Sequence, residues 1–119
     1  MSIEIKYAVE MYNQACLAEE KGQIDIAELY YLKSRAIFEK AGEISGAQYL
    51  NEANSLNALA FLRWSRKDYE GALCSAKESA KIMETYGAQS TSADADFIYS
   101  TSCELMDQIL YEMSLVSTR

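Results

Sequence analysis

The residues with chemistry to offer are few, and they point away from catalysis. Histidine is absent, which removes the commonest general base and the commonest zinc ligand. The three cysteines, Cys16, Cys74 and Cys103, have no CxxC spacing and read as small apolar core residues in a reducing compartment. Asp94 and Asp96 form a carboxylate pair, but no loop with calcium-type spacing follows them. Their charge is better used at a helix N-terminus, where it complements the dipole. No nucleophile stands with a base, so the chain is read as no enzyme, with no catalytic residue, metal or cofactor. What remains are amide and aromatic side chains. Asparagine amides both donate and accept, so they can grip a peptide backbone whatever its side chains. Phe61 and Trp64, three apart on one helix, can form an aromatic anchor.

The elements that must position these residues are helices. The 119-residue chain has no proline and five glycines, too little punctuation for a many-stranded sandwich or barrel. Half its residues are hydrophobic and 24% are charged, the balance of one globular domain. The net charge of −7 argues against phosphate-backbone binding, which depends on clustered Lys and Arg. No apolar run approaches the roughly 18 residues of a membrane span. Met1-Ser2-Ile3-Glu4 lacks the basic-then-apolar pattern of a secretory signal, so a cytoplasmic protein is expected, bound to neither nucleic acid nor membrane.

Sliding the chain on itself by 45 residues aligns 12–42 with 57–87 without a gap. Ala15/Ala60, Leu17/Leu62, Ala27/Ala72, Ser34/Ser79, Ile37/Ile82, Glu39/Glu84 and Gly42/Gly87 are identical. Small residues match small ones where helices would approach closely. Each repeat reads as two helices broken at Gly22-Gln23 or Lys67-Asp68, with Gly42 or Gly87 just past the second helix. Ser45 with Gln48 and Thr91 with Asp94 read as capping boxes. The spacing predicts helices over about 3–21, 24–41, 46–65, 69–86 and 92–116. The fourth carries the stripe Tyr69, Ala72, Leu73, Ala76, Ala80, Met83, and the fifth Ile98, Leu105, Met106, Ile109, Met113, Val116.

With these residues in hand the chain resembles the tetratricopeptide repeat family. The second repeat supplies Leu56, Leu59, Ala60, Tyr69, Ala72 and Ser79, and the first Met11, Ala15, Gly22, Ile24, Ala27 and Ser34. Its period exceeds the usual one of about 34 residues and is similar to the longer kinesin light chain type, which Ser55-Leu56-Asn57-Ala58-Leu59-Ala60 and Lys67-Asp68-Tyr69-Glu70-Gly71-Ala72 resemble. Lys67 stands where that pattern has glycine. The resemblance implies an all-α fold, a right-handed α-α superhelix of helical hairpins in a single domain over 1–119. Repeat 1 would span about 8–42, repeat 2 about 53–87, and a capping helix about 92–116. It also implies a concave groove lined by the first helix of each repeat. Tyr12, Asn13 and Glu19 come from the first repeat, with Val9, Cys16 and Glu20, and Asn54, Asn57, Phe61 and Trp64 from the second, with Ala58 and Ser65.

The function expected is therefore non-enzymatic: a protein-protein interaction module holding a peptide or helix of a partner in that groove. Glu19 and Glu20 at its edge favour a basic ligand. Residues 82–119 are strongly acidic, and the fifth helix has apolar residues on more than one face, including Tyr99, Cys103, Leu110, Tyr111 and Leu115. A helix with spare apolar surface at the end of a stack dimerises or receives a partner. The alternatives are accordingly a small chaperone for an amphipathic-helix client, or a self-associating assembly subunit that forms a homodimer through the C-terminal helix.

Overall fold

The computed structural model describes residues 3–45, 49–86 and 93–117. They form five helices: α1 (Ile3–Glu20), α2 (Ile24–Ser45), α3 (Tyr49–Ser65), α4 (Tyr69–Tyr86) and α5 (Ala93–Ser117). The fold is all-α, and no strand occurs among the described residues.

The two short turns show why the chain folds into hairpins. After α1, the Gly22 N–H donates to the Glu19 carbonyl (3.0 Å) and the Gln23 N–H to the Ala18 carbonyl (2.8 Å), and Gly22 takes a φ of 75°. After α3, Lys67 N–H donates to Trp64 (2.9 Å) and Asp68 N–H to Arg63 (2.9 Å), and Lys67 takes a φ of 66°. Every donor and acceptor in the second turn lies 45 positions after its counterpart in the first. Lysine holds by hydrogen bonding a left-handed backbone that glycine adopts without steric penalty. Asp68 then caps α4, its Oδ1 accepting the Gly71 N–H at 3.1 Å.

The seam inside each hairpin repeats in the same way. Ser34 Oγ donates to the Ala8 carbonyl at 2.8 Å, and Ser79 Oγ to the Ala53 carbonyl at 2.9 Å. Both serines are fully buried. A hydroxyl this deep requires a partner, and the close approach that provides one is permitted by alanines on the facing helices. Ala15, Ala27, Ala60, Ala72 and Ala76 are all fully buried.

Between the hairpins, Leu56, Leu59 and Leu62 of α3 pack on Ala15, Ala18, Ala27 and Tyr31. Each buried leucine is worth roughly 1.5–3 kcal/mol relative to exposure. Arginines reinforce this junction: Arg63 pairs with Glu28 (3.2 Å), Arg66 with Asp25 (2.9 Å), and Arg35 with Glu39 (3.0 Å) and Glu78 (3.2 Å). Helix α5 then packs on α4 and α3 through Leu105 and Ile109 against Ala60, Ala72 and Ala76, and through Ala95 and Ile98 against Ala53 and Met83. The result is two layers, α1, α3 and α5 in one and α2 and α4 in the other, and the 21 Å short dimension is the thickness of two helices.

Four expectations need correction. Gly42 does not end the second helix but lies inside α2, which runs through Ser45, the residue expected to begin the third. An interior glycine costs a helix only about 1 kcal/mol, and with no proline behind it nothing forces a stop. Helix α3 is described from Tyr49; Gln48, Gly87 and Thr91 lie outside the described residues. The cysteines are not uniformly core: Cys74 is exposed and Cys103 half-buried, while half-buried Cys16 packs against the core cluster between the hairpins. Val116 of the expected fifth stripe is exposed. No described helix is long and apolar enough to cross a membrane.

Candidate functional site

Helix α3 packs beside α5 and meets α1 through the cluster of Leu56, Leu59 and Leu62, and these three helices carry an open face. On α1 it presents Val9 and Asn13, both exposed, with Tyr12, Cys16 and Glu19 half-buried. On α3 it presents exposed Asn54 and Phe61, with Ala58 and Trp64 half-buried. Of the seven residues singled out from sequence, Asn13, Asn54 and Phe61 are exposed, and Tyr12, Glu19 and Trp64 are half-buried.

Asn57 is buried. It is 5% exposed, its Nδ2 donates to the Ile98 carbonyl at 3.2 Å, and its Oδ1 accepts from Ser102 Oγ at 2.8 Å. Ser102 Oγ also lies 3.0 Å from Ser79 Oγ, so one buried network joins α3, α4 and α5. Asn57 holds the last helix rather than a ligand, because α5 lies over that part of α3. Trp64 is partly drawn in for the same reason, its Nε1–H donating to Glu112 Oε2 at 2.6 Å. Since 57 pairs with 98 and 102, and 64 with 112, α3 and α5 run in the same direction.

The first hairpin contributes a polar cluster. Tyr31 Oη donates to Glu19 Oε1 at 2.7 Å and lies 3.5 Å from Cys16 Sγ. The Tyr12 and Tyr31 rings meet edge to face at 5.5 Å, and Asn54 Nδ2 donates to Tyr12 Oη at 3.4 Å. Burial, then the bonds to Cys16 and Glu19, hold the Tyr31 phenol well above its ordinary range, and burial raises Tyr12 as well. Both phenols therefore stay protonated, Tyr31 donating to Glu19 and Tyr12 accepting from Asn54. On the second hairpin Phe61 packs edge to face on Trp64 at 5.5 Å, with the planes at 86°. The Phe61 ring remains 54% exposed, so it is an aromatic surface already fixed in place.

Sequence reasoning missed Tyr31, Ser102 and Glu112. Ser102 carried a signal, being the polar position on the buried stripe 98, 102, 105, 109. Glu112 carried none, since pairing with Trp64 depends on how α5 lies. Away from the open face, Lys67, Asp68, Tyr69, Glu70, Met113 and Val116 line a wide, shallow cavity of about 350 Å³. Among the described residues no group of His, Cys, Asp or Glu could hold a metal ion.

Comparison with protein-family models, with curated proteins and with solved structures finds no match to this chain. The class rests on its own geometry: an all-helical, two-layer protein built from two equivalent hairpins and a fifth helix.

Proposed function

We propose that this chain is a non-enzymatic interaction module whose open α1, α3, α5 face binds a segment of a partner protein. In this reading the two hairpins are tetratricopeptide-like repeats of a right-handed superhelix, a reading supported by turns and seams that repeat at 45 positions. The observation that carries the functional reading is the exposure of Asn13, Asn54 and Phe61 together on one face, over helices fixed from behind by buried alanines. Rigid backing lowers the ordering cost of binding, the amides suit a peptide backbone, and the aromatic ring supplies an anchor. The free thiols suit a reducing compartment, and the cytoplasm is the location we assign.

A peptide-library screen tests this. Captured peptides should lose about tenfold in affinity with Asn54→Ala or Phe61→Ala and keep it with Leu29→Ala on α2. Equal losses at all three positions would count against the face.

A second reading, self-association through α5, is favoured by exposed Phe97, Tyr111, Leu115 and Val116. It is opposed by charge, since α5 carries Asp94, Asp96, Glu104, Asp107 and Glu112 and no Lys or Arg. Solution mass that stays monomeric from micromolar to millimolar concentration removes it.

A further inference from the structure

The carboxylates of the open face are oriented without being neutralised. Glu19 receives the Tyr31 hydroxyl and Glu112 the Trp64 indole N–H, both neutral donors that leave the negative charge in place. The arginines that could neutralise them are engaged elsewhere. Arg63 and Arg66 reach back to Glu28 and Asp25 on α2, and Arg35 to Glu39 and Glu78. One and two turns before Glu112 on the same strip of α5 stand Gln108 and Glu104, both exposed. On the other flank, Tyr12 meets Asn54, and seven residues on in both helices are Glu19 and Phe61. The exposed ring of Phe61 thus packs on Trp64, whose indole reaches Glu112 of α5, and lies seven residues past the Tyr12–Asn54 contact with α1.

An aromatic face attracts a cation through its quadrupole, and flanking carboxylates add to that attraction. Arginine suits the combination better than lysine, because its planar guanidinium stacks on a ring while its fork of N–H groups meets a carboxylate. We propose that Phe61, flanked by Glu19, Glu104 and Glu112, seats an arginine of a basic partner segment. The proposal rests on the open face being the binding face and adds the chemistry of its ligand.

Trp64 is the sole tryptophan, so its fluorescence reports on this site in the intact chain. The probes are two tryptophan-free amphipathic peptides, identical except that one carries arginine where the other carries glutamine. The arginine peptide should shift Trp64 emission and bind about tenfold more tightly at low salt, and the gap should narrow as salt screens it. Phe61→Ala, Glu104→Gln and Glu112→Gln should each narrow the gap several-fold with circular dichroism unchanged. Because glutamine at 112 still offers the indole an acceptor, that variant separates charge from packing. Equal binding of the two peptides, still dependent on Phe61, would overturn the arginine seat and leave the open face standing. Binding of neither would overturn both. A gap untouched by all three variants would place the cation elsewhere and overturn the proposal.

Discussion

The two hairpins share their turns and seams and diverge where they meet something beyond themselves. Their turns, at Gly22 and Lys67, share a set of backbone bonds, and their seams share the serine-to-carbonyl bond of Ser34 and Ser79. Leu17 and Leu62 are also identical, yet Leu62 is 1% exposed beneath the neighbouring hairpin while Leu17 is 46% exposed at the end of the stack. Tyr12 is replaced by Asn57, Cys16 by Phe61 and Glu19 by Trp64. The first trio forms a polar cluster on the open face, whereas the second joins an aromatic platform to the network that secures α5. What makes a hairpin is repeated, and what faces the next element has diverged.

The comparison is broken most severely at the seams. Ala27→Leu and Ala72→Leu each force a larger side chain into a fully buried site and should each cost about 1–3 kcal/mol. Chemical denaturation should find the two losses similar. A large loss at Ala72 with none at Ala27 would show that the hairpins are not equivalent.

Asn57→Ala should cost about 1–3 kcal/mol, because it removes two buried hydrogen bonds between α3 and α5. Amide exchange should quicken in α5 first, since that helix has its buried polar tie to α3 there, Trp64–Glu112 being only part-buried. Tyr12→Phe at the equivalent position of the first hairpin loses a single bond at the exposed Asn54 and should cost well under half as much. Comparable losses would contradict the assignment of Asn57 to α5.

Alkaline titration sharpens the contrast further. The Tyr31 phenol is raised above its ordinary value of 10.0 by burial and by its bonds to Cys16 and Glu19. Its contribution is therefore fully present below that pH. Above it the unfolded state releases a proton that the folded state keeps, so stability falls as pH rises. Tyr31→Phe should flatten this alkaline loss, and melting curves across the range would detect it; an unchanged slope would remove Tyr31 as its source.

The smallest effect lies in the turns. Lys67→Gly should stabilise by about 0.5–1 kcal/mol by relieving a left-handed lysine, while Gly22→Ala should destabilise by about 1 kcal/mol. Thermal melting should give opposite signs.

Much of this architecture was legible in the sequence because it rests on local rules. The turn at Gly22 and Lys67, the alanine and serine seams, and the stripe on α4 all follow from spacing and residue size. Gly42 misled because glycine is only a weak helix breaker, and in α2 the helix continues through it. The exposure of Asn13, Asn54 and Phe61 was legible because helical phase alone sets them off the buried stripes. Asn57 was not, since one helical phase serves both an open groove and a covered one. Its burial depends on where α5 lies, a tertiary fact that the residues around Asn57 do not encode.

The most direct test of the central claim is a map of backbone amide shifts on adding the arginine-bearing peptide to the labelled protein. The account predicts that the largest changes cluster at Asn13, Glu19, Asn54, Phe61 and Glu112. Changes centred instead on Ile26, Leu29 and Cys74, which are exposed on α2 and α4, would place binding on the opposite layer and contradict it.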